Sequence, residues 1–104
     1  MTEQRLDEAA LAAIEARANK ATPGPWTLCG CGKCGMIYPE SWEYRVADVS
    51  DREPDSAEKP RAQVDADGLF IAATRADVPM LVAEVRRLRA EIVGLEEELR
   101  MMYW

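Results

Sequence analysis

Apolar residues recur along the last quarter of the chain at alternating steps of three and four: Val78, Leu81, Val85, Leu88, Ile92, Leu95, Leu99 and Met102. This heptad repeat predicts a helix over residues 77–104. Val, Val, Ile and Leu fall at its a positions and Leu, Leu, Leu and Met at d, a choice that favours two parallel strands. At about 1.5 Å per residue such a helix spans roughly 40 Å, against a width of about 26 Å for a compact 100-residue domain, so its end has to project or pair. Up to Val85 the stripe is widened by Val82, which suits packing within one chain. Beyond Leu88 it narrows between Arg89, Glu91, Glu96 and Glu98, as in a seam that meets one other helix. Val85, Leu88, Ile92, Leu95, Leu99 and Met102 are therefore the candidate oligomerisation residues of a homodimer. In a parallel pair Glu84 faces Arg89 of the other copy and Glu91 faces Glu96. An antiparallel pair sets Glu84, Glu91 and Glu98 against one another, so the parallel arrangement is expected.

Upstream the periodicity changes twice. Leu6, Ala9, Ala10, Ala13 and Ile14 share one helical face after Thr2, a capping residue followed by Glu3, and predict a helix running to about Asn19. Its alanine-rich side buries little area, so it is expected to lean on the last helix. Thr22-Pro23-Gly24-Pro25 stops it, with Pro23-Gly24 suited to the centre of a type II turn. Period-two alternation then begins at Trp26 and Leu28, resumes from Met36 to Tyr38 and is clearest at Trp42, Tyr44 and Val46. It predicts a small antiparallel sheet of two or three strands with Trp26, Tyr38, Trp42 and Tyr44 in its core. Residues 50–63 read as a solvated loop with Pro54 and Pro60. Asp65 or Asp67 then caps a short buried helix carrying Leu69 to Ala73, and Asp77 caps the final helix afresh, so the two helices meet at a corner near Arg75 and Ala76. The fold class is α+β in one domain over residues 1–104, with 1–88 as the body and 89–104 as the projecting or pairing end.

Composition narrows the partners. The 104 residues hold 13 Lys and Arg against 19 Asp and Glu, a formal charge of −6, with the signs interspersed. Duplex nucleic acid, whose binding rests on phosphate neutralisation, is not an expected partner. No apolar run approaches 18 residues and the N-terminus lacks the marks of a signal peptide, so a cytoplasmic protein without a membrane partner is expected. The chain has no histidine, which excludes Ser-His-Asp chemistry, and no phosphate-binding or dinucleotide fingerprint is present. The sequence points away from an enzyme.

One stretch carries chemistry. Cys29-Gly30-Cys31-Gly32-Lys33-Cys34-Gly35 contains a C-x-x-C-G knuckle whose glycines allow a tight turn, with a third thiol two residues earlier. Three cysteines cannot all pair within one chain, and all three lie within six residues, so a reduced compartment fits. Cys29, Cys31 and Cys34 are candidate ligands of a structural zinc. Its fourth ligand has to be a carboxylate, a water or a thiolate of another subunit. Reduced thiols in a glycine-rich hairpin, and a disulfide between two of the three, stay open beside it.

Three segments, Ala21-Thr22-Pro23-Gly24-Pro25-Trp26, then Leu69-Phe70-Ile71-Ala72-Ala73-Thr74-Arg75, then the run from Asp77 to Leu88, resemble in order and spacing the Ead-like family of small bacteriophage early proteins. The resemblance covers more than half the chain. It implies a phage accessory protein in the host cell cytoplasm, without established enzymatic activity, and carries over no catalytic residues. Two function classes follow. One is a homo-oligomeric binding module that engages a host protein, with Trp42, Tyr44, Tyr103 and Trp104 as candidate contact residues. The other is a small-molecule or metal-sequestering protein that uses the knuckle or a pocket between sheet and helices.

Overall fold

A computed structural model describes residues 6–50 and 59–103. Thr2 and Glu3, the expected start of the first helix, and Trp104 lie outside the described residues, as does most of the expected loop. The elements run α1 (Glu8–Lys20), β1 (Thr27–Leu28), β2 (Met36–Tyr38), β3 (Ala47–Asp48) and α2 (Arg61–Met102). The fold is α+β, with an N-terminal helix, a three-stranded antiparallel sheet and a long C-terminal helix. The sheet order is β1-β2-β3, with Leu28 opposite Ile37 and Ile37 opposite Ala47.

Two predicted helices are one. α2 runs unbroken for 42 residues through Pro79, and no corner forms at Arg75 and Ala76. A proline removes a single N–H from the helical ladder. Here residues on both sides of it, Ala72 and Val82, are buried in the body, which favours a continuous helix through it. Asp77 is accordingly an interior residue rather than a cap. The first turn is likewise set earlier than expected: Pro60 occupies the capping position without a side-chain cap, its carbonyl accepting from Gln63 and Val64. Asp65 and Asp67 lie inside the helix and pair with Arg61 and Lys59.

The expected burial of residues 69–73 is also corrected. An apolar run that circles the helix cannot all face one body. Gly68 and Ala72 face it, and Leu69 and Phe70 are exposed. Small residues on the inner face let β1 approach closely, since a methyl group built on Gly68 would stand 2.6 Å from Leu28 Cδ1 and 3.2 Å from its Cγ.

α1 is capped by Asp7, whose Oδ1 accepts from Ala10 N at 2.7 Å. Its inner face is rotated from the alanine stripe: Leu11 is the buried residue, Ala10, Ile14, Glu15 and Ala18 are half-buried, and Leu6, Ala9 and Ala13 are exposed. Alanines supply little apolar drive, whereas Leu11 buries a full side chain and Glu15 reaches Arg86 of α2 at 2.5 Å. The turn after α1 is not type II, which needs a positive φ at Gly24. The Gly24–Pro25 bond is cis, and among the described glycines only Gly32 has positive φ. Thr22 O accepts from both Trp26 Nε1 and Arg75 Nε, each at 2.9 Å, which fastens this turn to the middle of α2.

The sheet core is Ile37, fully buried, with Pro39 beside it. Trp42 and Tyr44 are not a strand and not core. Trp42 has φ 58°, incompatible with extended backbone, its N–H bonds Pro39 O, and both rings are more than half exposed. β3 starts only after Val46. Trp42 stacks on Tyr38, the last residue of the central strand, with centroids 4.7 Å apart. No helix among the described residues is long and apolar enough to cross a membrane.

Two glycines of α2 test this packing against each other. Gly94 has nothing within 4 Å of an added methyl, so Gly94→Ala is expected to stabilise by about 1 kcal/mol from helix propensity alone. Gly68→Ala gains the same propensity but has to displace Leu28 down to its Cγ, and should lower the urea midpoint where Gly94→Ala raises it.

Candidate functional site

The hairpin between β1 and β2 builds the cysteine centre. Cys29 N bonds Met36 O at 2.8 Å, closing the ladder just before the turn, and Gly32 takes φ 75°, which lets the chain fold back within four residues. On the far side Gly35 is buried where a methyl would meet Ser50 N at 2.6 Å and Val64 Cγ1 at 3.1 Å. Arg61 Nη1 donates to Cys34 O at 2.8 Å, so the turn is fixed to the first turn of α2.

This local folding brings the three predicted ligands together. The Sγ atoms of Cys29, Cys31 and Cys34 all lie within 4.8 Å of one another, and Cys31 and Cys34 are 3.1 Å apart. Two thiolates on one tetrahedral zinc, with Zn–S near 2.3 Å, stand about 3.8 Å apart, so the observed separations bracket what a shared ion requires. Lys33 N and Cys34 N both donate to Cys31 Sγ at 3.3 Å. The Cys34 thiol and then these two amides lower the Cys31 pKa to about 6. At Cys34 the Met36 amide favours the thiolate, but the neighbouring Cys31 and Cys29 thiols and partial burial outweigh it and raise the pKa. Cys31 is thus the first of the two to release its proton. Among the described residues no carboxylate joins the three sulfurs as a fourth ligand.

The second candidate region is the free side of α2. Val82 is 4% exposed and its neighbour Leu81 is 62% exposed. With about 100° between successive residues, the two mark separate faces. Val64, Gly68, Ala72 and Val82 are the buried residues of the packed face. Phe70, Leu81, Leu88, Ile92, Leu95 and Leu99 lie on the other, all exposed. Val85 sits at the margin, half-buried beside Leu11 and Ile14, whereas Met102 is exposed. The last ties to α1 are Arg86 to Glu8 and Glu15 and Arg89 to Glu8 and the Leu6 carbonyl; residues 90–103 are all exposed. Arg89 and Glu84 therefore have partners within the chain, Glu84 being held by Arg87, so the expected attraction between copies at this pair meets competition. The stripe was visible in the heptads, whereas the exposure of Phe70 was hidden by reading a separate, buried helix there.

The remaining candidates are scattered. Trp42 and Tyr44 lie in the connection between β2 and β3 and Tyr103 at the far tip of α2, all exposed, so they do not form one patch. An open cleft of about 300 Å³ between α1 and α2 is lined by Arg17, Trp26, Thr74 and Arg75 among others. Arg75 is engaged by Thr22 O, and the Thr74 hydroxyl bonds Ile71 O of its own helix. Comparison with known proteins brought no match to a family model, a curated protein or a solved structure.

Alkylation reads the cysteine geometry directly. The thiolate is the reactive form, so Cys31 is expected to be modified first by iodoacetamide, its rate rising with pH through a midpoint of about 6. Peptide mapping after timed quenching checks this. Equal rates at all three cysteines would contradict the hydrogen-bonded geometry.

Proposed function

We propose that the chain is a non-enzymatic phage accessory protein, a homodimeric binding module whose α2 pairs with a second copy and which engages a host protein in the host cytoplasm. The observation that carries this reading is the apolar seam from Leu81 to Met102, exposed on a helix that outruns its own body. The molecule measures 69 × 37 × 21 Å. Helical stability in water comes mostly from packing an apolar face, and residues 90–102 have no such packing within one chain. α1 borders the seam at Leu81 and Val85, and from residue 90 onward the helix is exposed, so two copies can meet along that part. The resemblance to Ead-like early proteins supports the phage context, and the exposed rings of Trp42, Tyr44 and Tyr103 are the contact residues offered to a host partner.

A second reading is favoured by the three clustered sulfurs: the centre holds a structural zinc, with water, a carboxylate or a thiolate of another subunit completing the shell. Thiolates suit this borderline-soft ion. Bound there, it would tie β1, β2 and, through Arg61, the start of α2.

Replacing Ile92 and Leu95 with Lys is expected to give a folded monomer, because neither touches the body. Sedimentation equilibrium at tens of micromolar, where micromolar pairs assemble, should show a dimer for the unmodified chain and a monomer for the double variant, both helical by circular dichroism. An unmodified chain that sediments as a monomer overturns the pairing. For zinc, metal content per chain and a melt before and after chelator decide, with a lower melting temperature expected once the ion is removed.

A further inference from the structure

We propose that Cys31 and Cys34 form a reversible dithiol–disulfide couple that exchanges electrons with low-molecular-weight disulfides of the glutathione type. This goes beyond both readings above and does not require that either hold. Four observations carry it. The two sulfurs are 3.1 Å apart, so closing an S–S bond of about 2.05 Å asks for little motion. Cys31 is exposed and Cys34 half-buried, which gives one sulfur open to a bulky disulfide and a second held behind it. The Lys33 and Cys34 amides both point at Cys31 Sγ, stabilising negative charge at the attacking atom. Gly30 and Gly32 have open space where side chains would be, so a peptide-sized disulfide can approach the turn. The backbone is anchored on either side, by Cys29 N to Met36 O and by Arg61 to Cys34 O. The adjustment is confined to the residues between.

The steps balance. The Cys31 thiolate attacks one sulfur of the small disulfide, whose S–S bond breaks and releases one small thiolate. Cys34 then loses its proton to solvent and attacks Cys31 Sγ, expelling the second small thiolate. Two electrons pass from the protein to the small disulfide, and the Cys31–Cys34 bond remains. Cys29, separated from Cys31 by a single residue, is left as a free thiol. An ion held by the three sulfurs loses two of its ligands in the same event.

The test uses the full-length chain, once stripped with chelator and once loaded with zinc, equilibrated in buffers of graded reduced-to-oxidised glutathione ratio, acid-quenched, alkylated and mapped by mass spectrometry. Stripped protein should pass through one two-electron transition to a Cys31–Cys34 crosslink. Zinc-loaded protein should reach it only at a more oxidising ratio, with the ion released. In Cys34→Ser a glutathione adduct should accumulate on Cys31, at least about tenfold faster than on Cys29 in Cys31→Ser, as the exposed, amide-stabilised thiolate requires. If zinc binds nowhere, the stripped-protein transition still stands, so failure of the metal reading is distinguishable. A crosslink that uses Cys29, crosslinking only between chains, or stripped protein that stays reduced at every ratio overturns the proposal, and the unmodified chain alone suffices to show each of these.

Discussion

A helix of 42 residues can hold a body of this size only along part of one side, and the close approach of that side to the rest of the chain is the constraint behind every other feature. Val64, Gly68, Ala72 and Val82 present small or β-branched surfaces inward. Leu28 of β1 settles over Gly68, and α1 lies against the stretch from Val78 to Arg89. The sheet has only seven paired-strand residues across three strands and is too small to stand without that support. The placing of the cysteine turn follows in sequence: β2 is fixed by its ladder, Gly35 is pressed against Val64, and Arg61 reaches the Cys34 carbonyl.

The turn after α1 joins residues that lie far apart in the sequence. Thr22 and Trp26 flank the turn, and Arg75 comes 53 positions after Thr22. They meet on a single carbonyl, with Gly24 packed on the Arg75 side chain. These residues build the joint between helix, turn and spine. The residues with chemical potential lie elsewhere, in the cysteine hairpin.

Strong periodicities were legible in the chain and weak ones were not. The heptads from Val78 onward gave the long helix and its open seam, and the glycines and cysteines of residues 29–35 gave a turn with converging thiols. The alternation at Trp42, Tyr44 and Val46 misled because five residues of suitable pattern carry no information about φ, and Trp42 adopts a left-handed conformation. The proline at 79 misled in the other direction. Its local cost was outweighed by tertiary burial on both sides, which a reading of neighbours in sequence cannot weigh. The rotation of α1 was hidden for a similar reason, since the partner of Glu15 is Arg86, 71 positions away.

The projecting helix also governs how the molecule moves through solvent. Its radius of gyration is 19.8 Å, a value that a compact globule would reach only at roughly 320 residues. Viscous drag rises with extent as well as mass, so one chain of 104 residues should migrate through a sizing matrix ahead of a compact particle of its own mass. Elution volume therefore overstates the mass of a single copy, and subunit count in this protein is better read from methods that weigh the particle.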